Sequence, residues 1–161
     1  MLFRSLLRKT DESGDKSRVL ETVLSVNAAQ PLSIVSLLEK RTDIRNRAVA
    51  ILGLAFKEGT DDVRDAPSIP VLTELLRRGC IIRCYDPKAS ENMKKIFPNL
   101  NYAGSAAEAL KAADACLILT GWEEFASLTD KDFSSMNNRI IIEGRKILDR
   151  NKVSGAEGIC W

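Results

Sequence analysis

The residues of this sequence best suited to chemistry are cationic. Lys57 follows the apolar run Val49-Ala50-Ile51-Leu52-Gly53, Arg64 stands in the polar loop beyond it, and Arg145 comes just after a later apolar run, Ile140-Ile141-Ile142. A lysine offers a point charge and an arginine a planar fork of donors, and both suit phosphate oxygens. If both runs are strands of one parallel sheet, Lys57 and Arg145 converge on one edge and can neutralise a diphosphate. A plainer arrangement uses the same residues: Asp61, Asp62 and Asp65 pair with Lys57 and Arg64 to make a solvated loop. Spacing does not separate the two.

Gly53-Leu54-Ala55-Phe56-Lys57-Glu58-Gly59 stands where a dinucleotide fold carries G-x-G-x-x-G. Ala55 replaces the second glycine, which normally lets the backbone approach a pyrophosphate, and a long polar loop precedes the next helix. Close NAD binding by this loop is disfavoured, and a different ligand is expected. Asp86 has the look of an acid that grips a ribose, but it lies well beyond the usual spacing of roughly 20 residues. Next to Pro87 it reads as a turn residue that stops a strand. Trp122 reads as packing, and the Arg77-Arg78 and Lys94-Lys95 pairs as solvated helix charges.

Cys80, Cys84, Cys116 and Cys160 form no C-x-x-C pair, and the sequence contains no histidine, so zinc-ligand spacing is absent. Buried, unreactive thiols are expected, none of them a nucleophile, in a reduced and cytoplasmic setting.

Strands and helices in alternation must position the cations. Besides the runs at 49–52 and 140–142, Ile81-Ile82-Arg83-Cys84-Tyr85 and Ala115-Cys116-Leu117-Ile118-Leu119 read as strands. Between them, Pro67 opens a helix that Gly79 closes, a shorter helix covers 90–97, and Ser105-Ala106-Ala107-Glu108 has capping-box spacing for a helix through Ala113. Short helical pieces cover 122–127 and 130–136. The fold class is therefore α/β, a doubly wound, Rossmann-like parallel sheet whose ligand crevice lies at the carboxyl ends of its strands. The expected organisation is a loose leader over 1–17, a helical segment over 18–46 interrupted at Pro31, and the sheet domain over 47–161.

Bulk properties narrow the function. Hydrophobic residues make up 45% and charged residues 29% of the 161, with a formal net charge of +2. The basic residues are dispersed among acids, so no footprint for nucleic acid or an anionic membrane is present. No apolar run reaches the about 18 residues needed to cross a bilayer.

Residues 49–68, VAILGLAFKEGTDDVRDAPS, resemble the segment that opens the C-terminal domain of UDP-glucose and UDP-N-acetylmannosamine 6-dehydrogenases. The resemblance continues through Gly79, Tyr85-Asp86-Pro87, Ala113-Asp114, Leu119-Thr120-Gly121-Trp122-Glu123-Glu124-Phe125 and Glu143-Gly144-Arg145-Lys146-Ile147-Leu148-Asp149. It covers nearly everything after Arg47. Val26-Asn27-Ala28-Ala29-Gln30 is similar to the family's central helix, which implies a homodimer formed through the 18–41 helix. The resemblance further implies that Phe56 and Lys57 contact a UDP-sugar, that Arg145 holds its diphosphate, and that Arg64 reaches an NAD held mainly by another domain. The family oxidises an alcohol to an acid in two hydride transfers through a thiol adduct on a catalytic cysteine. This sequence has neither that cysteine motif nor the NAD-binding domain. The expectation is thus a UDP-sugar-binding portion that works with an NAD-binding catalytic domain, in cis or as a separate chain. The alternative is a non-catalytic dimerisation or interaction module.

Overall fold

A computed structural model describes residues 29–159. The expected leader and residues 18–28 of the expected 18–46 helical segment lie outside the described residues. The chain divides into Met1–Pro31 and Leu32–Trp161, and the described residues belong almost wholly to the second unit.

Four strands fall on the four apolar runs: β1 Ala48–Leu52, β2 Ile81–Tyr85, β4 Ala115–Ile118 and β5 Ile140–Glu143. Two short edge strands, β3 Asn101–Tyr102 and β6 Glu157–Gly158, complete a sheet of order β3-β2-β1-β4-β5-β6. Every neighbouring pair is parallel. All of β4 and all of β1 after Ala48 are buried, as happens when helices cover both faces of a sheet. The order reverses between β1 and β4, and in such sheets that reversal opens the ligand crevice.

The helices are α1 Ser33–Glu39, α2 Ser68–Arg77, α3 Ser90–Lys94, α4 Ala106–Leu110 and α5 Glu123–Ala126, with a 3-10 turn at Asp132–Ser135. In α2, Val71, Leu72 and Leu75 form the buried stripe, while Glu74 pairs with both Arg77 and Arg78. Gly79, with φ of +78°, closes that helix in the left-handed conformation glycine adopts cheaply. The capping box is present in modified form. Ser105 Oγ accepts from Glu108 N at 3.2 Å, and the Glu108 carboxylate reaches back to Gly104 N at 2.7 Å. Helix α4 stops at Leu110, short of Ala113, because Ala112 turns to φ of +56° and donates its N–H to Ser135 O.

Helix α1 lies within residues 29–41, the described part of the segment expected to build a dimer. It buries Ile34, Val35 and Leu38 in this chain's own core, packed against β5 and α2. That apolar face is already covered, so a second copy would have to meet other residues of the 18–41 segment.

Candidate functional site

Where the strand order reverses, β1 and β4 end side by side. Gly53 follows β1 with φ of +96°, and a Cβ there would lie 2.6 Å from both the Cβ and the backbone nitrogen of Thr120. Only glycine fits, because both the torsion and the close approach forbid a side chain. Beyond it the loop is tied on several sides. Thr120 Oγ1 donates to Ala55 O at 2.8 Å, and Ser68 Oγ donates to Leu54 O at 2.6 Å.

The strongest tie is Asp86, at the end of β2 and 3% exposed. Its Oδ2 accepts from Leu54 N at 2.7 Å, Ala55 N at 3.0 Å and Trp122 Nε1 at 3.1 Å. Its Oδ1 accepts from Lys88 N and Ala89 N at 2.9 and 2.8 Å. The sequence reading of Asp86 as a turn residue captures only this second pair. The first set joins the loops after β1 and β4 through one carboxylate. Trp122 is buried, as a packing residue should be, and its indole N–H serves the same acid.

A second carboxylate does comparable work after β5. Glu143 is 1% exposed, and its Oε2 accepts from Ile147 N at 2.8 Å and Leu148 N at 3.1 Å. The loop carrying Arg145 is thereby folded back onto the strand end. Arg145 itself donates from Nε to Leu119 O at 3.4 Å, a long contact to the neighbouring strand end.

Between these loops lies an open cleft of about 580 Å³. Phe56, Lys57 and Glu58 line it from the β1 loop, Gly121 from the β4 loop, and Arg145 and Lys146 from the β5 loop. Three cations and one carboxylate thus share its walls. Phe56 is 47% exposed, so it is an apolar surface at the cleft and not a core aromatic. Arg64 is not among the lining residues. It forms a two-pronged pair with Asp62, Nε to Oδ1 at 2.9 Å and a terminal nitrogen to Oδ2 at 2.7 Å, with its side chain 80% exposed. The Arg64 guanidinium holds the Asp62 carboxyl down to about 2. The solvated-loop arrangement therefore applies to Arg64, while Asp61 is engaged by Asn92 and Lys57 faces the cleft.

The β1 loop does not fit the pyrophosphate of NAD. The Leu54 and Ala55 amides, which a dinucleotide fold would offer to phosphate, are both taken by Asp86 Oδ2, and Ala55 stands where the close-approach glycine belongs. The described cysteines are likewise unsuited to covalent chemistry. Cys80, Cys84 and Cys116 are free and buried, and burial pushes the Cys80 thiol up to about 11 and the Cys84 thiol up to about 12.

Residues 50–150 match the model of the UDP-glucose/GDP-mannose dehydrogenase family, UDP binding domain. The chain belongs to this family. Among relatives, it is 46% identical over 139 residues to UDP-glucose 6-dehydrogenase AglM of Haloferax volcanii, covering 86% of this chain and 32% of that one. It is 38% identical over 144 residues to UDP-glucose 6-dehydrogenase of Rickettsia bellii, covering 85% and 33%. The solved UDP-glucose dehydrogenase from Pyrobaculum islandicum superposes with a TM-score of 0.87 at 28% identity, over 99% of this chain and 36% of that one. The chain thus spans about a third of the length of these dehydrogenases. As a UDP binding domain of this family, it carries its candidate residues Phe56, Lys57 and Arg145 on one cleft, with Arg64 apart from them. The sequence reading gives Asp86 only a turn role and assigns none to Glu58, Lys146 or Glu143. An acid closing an otherwise apolar strand, as in Ile140-Ile141-Ile142-Glu143, was the available signal for the last.

Proposed function

We propose that this chain binds the UDP portion of a nucleotide sugar, as part of an NAD-dependent UDP-sugar 6-dehydrogenase of the UDP-glucose to UDP-glucuronate type. The observation that carries the reading is that Lys57 and Arg145, far apart in sequence, line one open cleft at the carboxyl edge of the sheet. Both can donate charge-assisted hydrogen bonds to a diphosphate, and Lys146 adds a third positive charge nearby. Phe56 offers an apolar wall for the base or sugar.

In this reading the chemistry belongs to a partner domain, in cis or on another chain, that holds NAD and supplies the nucleophile. Arg64, on its exposed loop, extends toward that domain and its NAD once the partner closes. A homodimer through the 18–41 segment and a cytoplasmic setting complete the proposal, the latter in keeping with the free buried thiols.

Calorimetry with UDP, uridine and inorganic pyrophosphate tests it. UDP should bind saturably at one site, pyrophosphate more weakly at the same site, and uridine much more weakly still. Lys57→Ala and Arg145→Ala should each weaken UDP binding about ten- to a hundredfold, the size of one or two charge-assisted hydrogen bonds. Equal binding of uridine and UDP would refute a diphosphate site.

A further inference from the structure

The two loops that present cations differ in how they are held. The β1 loop is fastened by Asp86, Thr120 and Ser68 together. The β5 loop has a simpler anchor. Its backbone turns back at Ile147 and Leu148, and both of those amides donate to one oxygen, Glu143 Oε2. Ile147 N also donates to Arg145 O at 2.8 Å, sharing the same amide, and Arg145 Nε reaches Leu119 O at 3.4 Å. Gly144 N, at the loop's start, is bonded to Ile118 O at 2.8 Å, so the strand end itself is firm, and beyond it the carboxylate holds the two backbone amides that close the turn.

We infer that Glu143 is a positioning residue for ligand binding: its buried carboxylate, by accepting the Ile147 and Leu148 amides, folds the 144–148 turn so that Arg145 stands on the wall of the diphosphate cleft. Glu143 does not line the cleft and touches no ligand in this role. It acts through Arg145. Burial strengthens the effect, because a carboxylate that is 1% exposed gives its hydrogen bonds little competition from solvent. The other oxygen, Oε1, has no hydrogen-bond partner among the described residues. An amide at this position could therefore keep its carbonyl on the two N–H groups without displacing a donor from the other side.

The inference rests on the UDP-binding reading for its functional half, and two readouts on the 161-residue chain keep the two separable. Amide exchange measured without ligand reports the fastening alone. Glu143→Ala should accelerate exchange at Ile147 and Leu148 by about tenfold or more while leaving Leu54 and Ala55 unchanged. Calorimetry with UDP reports the consequence. Glu143→Ala should weaken UDP about tenfold, and Glu143→Ala with Arg145→Ala should lose clearly less than the two single losses combined, since both remove the Arg145 contribution and only that of Lys146 on the same turn is added. Glu143→Ala combined with Lys57→Ala should instead lose the full effect of each. Glu143→Gln should stay within about threefold of the parent, because one carbonyl oxygen suffices for both amides. If Glu143→Ala does not fold, Glu143→Asp takes its place, one methylene too short to reach both donors, with Glu143→Gln still expected to rescue. Additive losses for Glu143→Ala and Arg145→Ala, unchanged exchange at Ile147 and Leu148, or Glu143→Gln failing as badly as Glu143→Ala would overturn the inference. Altered exchange in a chain that binds no UDP would sustain the fastening and refute the functional reading instead.

Discussion

Replacing Asp86 by asparagine changes almost no volume, yet it exchanges one acceptor oxygen for an NH2 group inside a ring of donors. Oδ2 faces three N–H groups, those of Leu54, Ala55 and Trp122, and Oδ1 faces the amides of Lys88 and Ala89. Whichever way the new amide turns, its NH2 meets donors, and the less costly orientation still gives up two bonds. Buried hydrogen bonds to a charged acceptor contribute about 1.5–3 kcal/mol each, so Asp86→Asn should cost at least about 3 kcal/mol. No cavity is created, so the loss is electrostatic and not one of packing. For a chain of this size that corresponds to a fall in Tm of about 6–12 °C, against a total stability of about 5–15 kcal/mol. Urea unfolding followed by circular dichroism measures it directly. The midpoint should fall with the slope unchanged, since the surface exposed on unfolding is the same. A loss below about 1 kcal/mol at unchanged slope would refute the reasoning, because the five donors would then have to be satisfied without the carboxylate.

Other positions give equally definite expectations. Gly53→Ala should destabilise the chain by more than about 3 kcal/mol or prevent its folding, since a Cβ would sit 2.6 Å from the Thr120 backbone at a φ that disfavours any side chain; denaturant unfolding or soluble yield reads this out. Cys84 and Cys116 should resist a thiol reagent at pH 8 in the native chain and react at once in urea, because burial raises both thiols well above the working pH; native labelling at a rate near that of the unfolded chain would contradict it. Glu74, held by Arg77 and then Arg78, is lowered from the usual 4.5 to about 2. The stability it contributes is fully present above pH 4.5 and is lost as the pH falls toward 2, so its side-chain carbon resonance should titrate near 2, and a midpoint above 4 would contradict the pairing.

The central sheet was legible because parallel strands covered on both faces read as unbroken apolar runs, as β1, β4 and β5 do, while β2, broken by Arg83 and with Ile81 exposed, was marked by its β-branched residues and the Asp86-Pro87 stop. The edge strands β3 and β6 were not, since each has two residues and Asn101 and Glu157 carry no apolar signal. Lys57 and Arg145 were legible as strand-end cations, and a parallel sheet brings such ends to one edge regardless of the distance between them in sequence. Arg64 shows the limit of that argument. Its neighbour Asp62, two residues away, offers a local partner that spacing alone could not rank against a ligand. The loop-joining role of Asp86 and the role of Glu143 are illegible in the sequence for different reasons. The donors that define Asp86 are far from it in sequence, in the loops after β1 and β4, so only the folded topology brings them together. Those of Glu143 are close by, but a glutamate bonded to amides four and five residues ahead has no familiar motif to announce it.

The most direct measurement is the position of the two phosphates in a crystal of this chain grown with UDP. They should lie between the Lys57 ammonium and the Arg145 guanidinium, each within hydrogen-bonding distance of at least one of them. Phosphates found beside Arg64, or pointing away from the cleft with neither cation in reach, would contradict the account.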